Sequence, residues 1–288
     1  MTRKKRRIPQ PYRPENLLEA LQFLHEHGGG LAMHERGLGA TGITPSGQWM
    51  DTSRLRELAG VHLFQCRLII GLNMRYADLQ FASLVRQHAL CLVEVCEANA
   101  HAGNTLIADF FSHPWPDTIA ALATLNAEVE MARLMPSSDI QRVWLPWDEA
   151  LLTLSQHPKL PLAVRIWLSP GAGGSAYVPL TEISGGLTSP VAAAFAHLLM
   201  QPPRITAIHL GIMPIDHIPL RLPAAESVLK DQSPTPHRLN RCAEVAQNEA
   251  HHYLQQLQPP PQYTINPTAH LLRVALDRAV ARARAARS

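Results

Sequence analysis

The sequence is poor in cysteine and contains no long run of apolar residues. It has only four cysteines in 288 residues, and they do not form the two C-x-x-C pairs that a structural zinc site commonly uses. We therefore expect reduced cysteines in the core and no metal site. No stretch approaches the roughly 18 to 20 consecutive apolar residues of a membrane span, and the N-terminus lacks the apolar segment of a secretory signal. A cytoplasmic protein with no membrane partner is expected.

Common signatures of catalysis and of nucleotide binding are absent as well. There is no G-x-x-x-x-G-K-[ST] phosphate loop, and no G-x-G-x-x-G sequence follows a predicted strand. Ser169-Pro170-Gly171 does not match the G-x-S-x-G turn that carries a nucleophilic serine, and no spacing supports a Ser/His/Asp triad. No catalytic residue is predicted, and the chain is not expected to convert a substrate at a site of its own.

Positive charge is concentrated near the two ends of the sequence. The formal net charge is +3, with one basic run over residues 3–7 and several arginines over residues 278–287. The rest of the chain is not basic, so binding to nucleic acid would depend on these two segments alone. A solvated arm and a charged helix face are the favoured interpretation, and a nucleic-acid partner is not expected.

Apolar spacing and turn residues predict an α+β protein, with helices packed outside layers of sheet. Leu17, Leu21 and Leu24 lie on one face of a helix that Gly28 would stop. Further helices are predicted over residues 74–83, 85–97, 118–126, 238–257 and 266–286. Strands are predicted over residues 61–71, 127–134 and 162–168, and strands or buried segments over residues 176–180, 192–199 and 205–212.

Residues 99–117 form the most distinctive stretch of the chain. They follow an apolar helix-like run, include Gly103, and end on the corner Pro114-Trp115-Pro116-Asp117 before another predicted helix. Glycine and other small residues allow a backbone to approach a ligand closely. Any cofactor site is therefore expected in this stretch.

Several segments, in the same order, resemble the FAD-binding medium subunit of the molybdenum hydroxylases, as in xanthine dehydrogenase and carbon monoxide dehydrogenase. Residues 12–21 resemble its opening Y-x-P-x-s-l-e-E-A-l, and residues 70–79 resemble its I-G-A-x-x-t-y-a-d-L segment. Residues 50–58, 114–117, 171–177 and 210–226 also match segments of that family. The resemblance covers nearly the whole chain, although no single motif is decisive.

The resemblance implies a fold, a role and partners. The fold would be the PCMH-type FAD-binding fold, with a small N-terminal α/β unit over residues 1–58 and a mixed-sheet unit over residues 59–172. A C-terminal antiparallel sheet with helices would follow over residues 173–288. The role would be FAD-dependent electron transfer between an iron–sulfur small subunit and an electron acceptor, in a complex whose molybdenum-cofactor large subunit performs the substrate chemistry.

Both glycine-rich FAD loops of that family are eroded in this sequence. The paired glycines of the first loop, A-G-G-T-[DN]-L, are replaced by Met33 and His34, and Glu35 adds a negative charge beside the expected pyrophosphate. The second loop, G-T-[IL]-G-G-N, retains Gly103 alone in one register and Gly103-Asn104 in another. The resemblance therefore assigns cofactor contacts to Gly103, Asn104, Asp117 and Tyr177, the last beside the flavin ring.

Each of these residues also has a structural interpretation. Asp117 could cap the helix expected to begin at Thr118, which is favoured over cofactor contact because a cap needs no ligand. Tyr177 could equally be a half-buried core tyrosine, and Gly103 could simply supply a turn. Two functions remain open at this point. The favoured one is a FAD-binding electron-transfer subunit, and the alternative is a flavin-free structural or interaction subunit of the same fold.

Overall fold

The computed structural model describes residues 12–27, 50–99, 116–147, 149–150, 160–168, 172–184, 187–214, 219–255 and 268–286. Within these ranges, no helix is both long enough and apolar enough to cross a membrane. The first predicted helix is confirmed as α1, Leu17–His27. A parallel bridge between Tyr12 and Met50 joins the segment before α1 to the segment before a short 3₁₀ helix, Arg56–Leu58.

The first sheet has five strands, and α1 packs against one of them, β3 (Glu128–Leu134). Its other strands are β1 (Val61–Phe64), β2 (Arg67–Gly71), β4 (Ile140–Pro146) and β5 (Leu160–Trp167). Their order is β1-β2-β5-β3-β4, and each neighbouring pair is antiparallel. Leu68, Ile70 and Val164 of this sheet lie in one apolar core with Leu21 of α1.

The single strand predicted over residues 61–71 is wrong, because the chain turns back within it. Gln65 and Cys66 form the turn between β1 and β2, with φ values of 46° and 58°. Two consecutive positive φ values are the geometry of a type I′ hairpin, which Asn-Gly or Gly-Gly normally provides. Gln-Cys carries no such signal, so the sequence pattern did not indicate the turn.

The two helices predicted over residues 74–83 and 85–97 are three helices in the structure: α2 (Tyr76–Phe81), α3 (Ser83–His88) and α4 (Leu90–Ala98). The breaks occur at Ala82, which is extended, and at Ala89, which has φ −138° and ψ 50°. Alanine favours helix, so neither break has a local cause in the sequence. Ala89 is fully buried, which indicates that tertiary packing sets this bend.

The second sheet has four antiparallel strands in the order β6-β7-β8-β9. They are β6 (Ala172–Ser184), β7 (Leu187–Gln201), β8 (Arg204–Pro214) and β9 (Leu220–Arg221). Helices α6 (Pro223–Leu229), α7 (Pro236–Gln255) and α8 (Thr268–Ala285) follow, and α8 packs against β6 and β7.

Both faces of β7 are buried over residues 193–198, which explains its largely apolar sequence there. In β7, Ala193 and Phe195 belong to the core shared with the first sheet, whereas Ala194 and Leu198 belong to a separate core with α7 and α8. A strand buried on both faces has no polar alternation. The α+β fold with a C-terminal antiparallel sheet is confirmed, and the domain boundaries at residues 58 and 172 stay a prediction.

Candidate functional site

The structure brings two of the four predicted cofactor-binding residues together. The Tyr177 hydroxyl donates a hydrogen bond of 2.9 Å to Oδ2 of Asp117, across 60 residues of sequence. Gly103 and Asn104 lie outside the described residues, as do Met33, His34 and Glu35. The described part of the predicted site is therefore a hydrogen-bonded pair of side chains, which joins β6 of the second sheet to the helix that begins at Pro116.

Asp117 is held by the start of α5, which spans Pro116–Thr124. The helix begins two residues before the predicted Thr118, with Pro116 at its first position, where proline loses no helical hydrogen bond. Asp117 thus lies inside the first turn and not at the cap. Its carboxylate accepts from side chains, namely Tyr177 and Asn99, so the predicted capping role is wrong.

Tyr177 is held by β6 and by a contact to α4. Its backbone N–H donates to Oε2 of Glu94 at 2.8 Å. Its ring packs against Phe195 of the neighbouring strand β7, with ring centres 5.0 Å apart and planes tilted by 41°. The Tyr177 side chain therefore points from the second sheet toward α5 and is fixed at both its backbone and its ring.

Asn99 and Glu94 take part in this arrangement although the sequence did not identify them as site residues. Asn99 follows α4 directly, and its amide donates to Val95 O at 2.9 Å and to Asp117 Oδ2 at 3.4 Å. Glu94 is a single acidic residue amid the apolar residues 90–93 and 95–96 of α4. A single charged residue in an apolar run needs a partner when it is buried. The position of Glu94 was therefore a signal in the sequence that this side chain forms a specific contact.

A second buried hydroxyl pair lies next to Asp117. The Tyr76 hydroxyl and the Thr118 hydroxyl are 2.6 Å apart, and both residues are almost completely buried. Tyr76 belongs to α2 and Thr118 to the first turn of α5. The start of α5 is thus tied by hydroxyl hydrogen bonds to α2 on one side and to β6 on the other.

Burial determines the electrostatics of the Asp117–Tyr177 pair. Burial raises the pKa of the Asp117 carboxyl, while the hydrogen bonds from Tyr177 and Asn99 partly oppose this rise. Burial, together with the negative charge of Asp117, raises the pKa of the Tyr177 phenol, which stays protonated as a donor. Oδ1 of Asp117 is buried and has no hydrogen-bond partner among the residues that the structure describes. Such an unsatisfied buried acceptor costs about 1–3 kcal/mol.

The described residues do not fit an open flavin site. Tyr177 is only 2% exposed and Asp117 only 3% exposed, so protein atoms already cover both side chains. A flavin ring that stacks on a tyrosine needs one free face of that ring. Neither residue offers a free surface to a cofactor unless the surrounding side chains move.

Comparison with known proteins gives matches only among solved structures. No model of a protein family matches the chain, and no protein with a curated description matches it by sequence. A carbon monoxide dehydrogenase structure from Hydrogenophaga pseudoflava, which lacks the Mo-pyranopterin moiety of the molybdenum cofactor, matches with a TM-score of 0.72 and 18% identity. The match covers 97% of this chain and 99% of that chain.

Two further structures match to a similar degree. Reconstituted carbon monoxide dehydrogenase from Oligotropha carboxidovorans gives a TM-score of 0.71 at 19% identity, over 96% of this chain and 99% of that chain. Quinoline 2-oxidoreductase from Pseudomonas putida 86 gives a TM-score of 0.70 at 16% identity, over 98% of this chain and 99% of that chain. This chain therefore has the fold that its sequence resemblance predicted, that of the FAD-binding medium subunit of the molybdenum hydroxylases.

Proposed function

We propose that this chain is a medium-type subunit of a molybdenum hydroxylase-type oxidoreductase complex and that its flavin site is closed. Its partners are a large subunit with the molybdenum cofactor and a small subunit with iron–sulfur clusters. The similarity of fold over nearly the whole chain supports the subunit role. In this proposal the chain contributes to assembly of the complex and carries no electrons itself.

The observation that carries the closed-site proposal is the buried pair Asp117–Tyr177. A tyrosine that shields a flavin leaves one ring face to the cofactor, whereas Tyr177 is 2% exposed and its hydroxyl is bonded to Asp117. Phe195 packs beside the same ring. Opening a cleft here would expose apolar surface to water and separate a buried hydrogen-bonded pair, and both changes cost free energy.

The composition of the first loop supports the same proposal. Glycines in a pyrophosphate loop let backbone N–H groups approach the phosphate oxygens, and side chains would block that approach. Met33 and His34 stand where the family has its paired glycines. Glu35 adds a carboxylate beside the position of two phosphate groups, and charges of like sign repel.

A second candidate function, FAD-dependent electron transfer, is favoured by one specific observation. Within the described ranges Oδ1 of Asp117 is buried without a partner, and a cofactor hydroxyl would supply a donor. FAD, when bound to such a subunit, supplies one- and two-electron redox chemistry. This alternative requires Tyr177 to leave its contact with Asp117 and to expose a ring face.

The flavin content of the purified chain distinguishes the two functions. The protein is incubated with excess FAD, separated from free FAD by gel filtration, and scanned between roughly 350 and 500 nm, where a bound flavin absorbs. We expect no flavin band. A stoichiometric band would overturn the closed-site proposal and support electron transfer.

Subunit composition tests the role in a complex independently of flavin. A tagged form of the chain is purified from its native cells, and the proteins present at equal stoichiometry are identified by mass spectrometry. We expect a molybdenum-cofactor subunit and an iron–sulfur subunit, and we expect molybdenum and iron to be measurable in the sample. Recovery of this chain alone under the same conditions would contradict the role as a complex subunit.

A further inference from the structure

A cavity that is lined by neither Asp117 nor Tyr177 lies where the two sheets meet the last turns of α8. Its volume is about 450 Å³, within the range of small-molecule sites. It is formed by the end of α3, the end of β5, the beginning of β6, part of β7 and the last turns of α8. Neither the sequence patterns nor the resemblance assigns a role to it.

One part of the cavity wall is polar and carries positive charge. Arg86, Gln87 and His88 line it from α3, and Arg282 lines it from α8. None of the described lining residues carries a carboxylate, but Glu94 pairs with Arg282 and Glu97 lies 3.7 Å from Arg86, so the positive charge of the wall is partly compensated. The Arg86 side chain is 52% exposed, and its Nη1 donates to the Gln80 carbonyl at 3.0 Å and lies 3.7 Å from Oε1 of Glu97, so a ligand would have to use the other N–H groups of its guanidinium.

Another part of the wall is apolar. Ile166 and Leu168 line it from the end of β5, and Leu199 lines it from β7. Ile166 is almost fully buried, while Leu168 and Leu199 are half-buried. These side chains offer a ligand apolar contact next to the positively charged residues of α3.

Part of the wall is rigid, because Arg282 is fixed by Glu94 and by the Ser175 carbonyl, which it reaches at 2.6 Å. His197 also lines the cavity, but its Nδ1 is buried, has no hydrogen-bond partner within the described ranges and is not accessible to a ligand.

We propose that this cavity binds a small organic anion, with its charged group against Arg86 and Gln87 and a short apolar body against Ile166 and Leu199. The carboxylate and phosphate groups share the required chemistry, since both accept hydrogen bonds from a guanidinium. The proposal does not depend on flavin binding, because no described lining residue forms a hydrogen bond with the side chain of Asp117 or Tyr177.

Isothermal titration calorimetry of the full chain tests this proposal with three probes. Hexanoate and hexyl phosphate present the two anionic groups on the same apolar body, and hexanamide is the neutral control. We expect saturable binding of at least one anion with a Kd below about 1 mM, and at least tenfold weaker binding of hexanamide. The anion that binds more tightly identifies the charged group.

Two variants locate the binding in this cavity. In Gly173→Leu, the added side chain starts at a Cβ position with only Leu199 Cδ2 nearby, at 3.4 Å, so it fills the cavity without meeting backbone. We expect this variant to abolish binding. Arg86→Ala should weaken anion binding by at least about fivefold, the loss of one charge-assisted hydrogen bond. Arg241→Ala, at an exposed arginine of α7 outside the cavity wall, is the matched control and should bind as the unmodified chain does.

Any of three results would overturn the proposal. They are absence of saturable binding for both anions, equal binding of hexanamide, and an unchanged affinity in Arg86→Ala. Circular dichroism checks that Gly173→Leu is folded, and if it is not, the comparison of Arg86→Ala with Arg241→Ala decides. A yellow, flavin-bound protein would overturn the closed flavin site and leave this result unaffected.

Discussion

Glu94 and Arg282 lie 188 residues apart and join α4 to the end of α8 by a two-point ion pair. Nη2 of Arg282 is 2.6 Å from Oε1 of Glu94, and Nη1 is 3.1 Å from Oε2. Glu94 also accepts the Tyr177 N–H, and Arg282 donates to the Ser175 carbonyl. The pair thereby satisfies backbone groups on the free edge of β6, which would otherwise be available for pairing with another strand.

Removing one member of this pair should destabilise the fold. The Glu94 and Arg282 side chains are 16% and 29% exposed, so Arg282→Met leaves a mostly buried carboxylate whose one remaining donor in the described part of the chain is the Tyr177 N–H. We expect a loss of about 2–3 kcal/mol in the free energy of unfolding, measured by urea denaturation.

Arg241→Met is the matched control for that variant. Arg241 pairs with Glu244 on α7, and both side chains are more than half exposed. A solvent-exposed pair contributes at most about 0.5 kcal/mol, so the unfolding curve should barely change. Equal losses in the two variants would show that the Glu94–Arg282 pair has no special structural role.

Loss of the Tyr177 hydroxyl should lower the free energy of unfolding more than loss of the Tyr76 hydroxyl does. Tyr177→Phe keeps the ring packing against Phe195 and leaves Asn99 as the donor to the buried Asp117 carboxylate. We expect a loss of about 2 kcal/mol at pH 7, since hydrogen bonds to charged groups are the stronger ones. Thermal unfolding at pH 7 measures the change.

Tyr76→Phe is the control for Tyr177→Phe. It removes an equally buried hydroxyl that is paired with the neutral Thr118 hydroxyl, and loss of that pairing should cost about 1 kcal/mol. A smaller effect of Tyr177→Phe than of Tyr76→Phe would show that the hydrogen bond from Tyr177 to Asp117 is no stronger than one between two neutral hydroxyls.

Asp117 should make stability depend on pH in a direction opposite to that of most carboxylates. Burial raises the pKa of its carboxyl in the folded state, so the folded protein binds this proton more readily than the unfolded chain does. Stability from this group therefore rises as pH falls from 7 through the raised pKa. Relative to Asp117→Asn, the unmodified chain should gain stability on acidification.

Unfolding of both proteins at several pH values between about 7 and 4 measures that difference. The Asn variant has no titrating group at this position, so it corrects for all other groups. A difference that is constant with pH, or one that decreases on acidification, would contradict the raised pKa of Asp117.

Two adjacent glycines should respond very differently to alanine. At Gly174 an added Cβ would lie 2.0 Å from the Ala279 carbonyl oxygen and 2.7 Å from the Ala283 nitrogen, both backbone atoms of α8. Gly174→Ala must therefore push α8 off β6, and we expect a loss of about 3 kcal/mol or more.

At Gly173 an added Cβ meets only Leu199 Cδ2, at 3.4 Å. Gly173→Ala should therefore stay within about 0.5 kcal/mol of the unmodified chain, as most substitutions without a steric conflict do. Denaturation by urea compares the two variants directly. Similar stability of both variants would contradict the close packing of α8 on β6.

Local patterns in the sequence were sufficient for the class of fold and for most of its elements. The spacing of Leu17, Leu21 and Leu24 predicted α1, and the apolar run of β7 predicted a buried segment. Residue order along the chain also supported the family resemblance, which the solved structures confirm at the level of the fold. Periodicity and turn residues act over a few neighbouring positions, so a single sequence is enough to reveal them.

Tertiary structure alone decided the hairpin at Gln65 and Cys66, the bend at Ala89, and the partners of Asp117. The sequence identified Asp117 and Tyr177 as separate candidates, but it contains no signal that the Tyr177 hydroxyl donates a hydrogen bond to the Asp117 carboxylate. Such contacts depend on how α5 packs on the second sheet, and burial then shifts the pKa of both groups. Sequence thus determined which polar groups are present, whereas packing determined that Tyr177 and Asp117 are buried together and joined by a hydrogen bond.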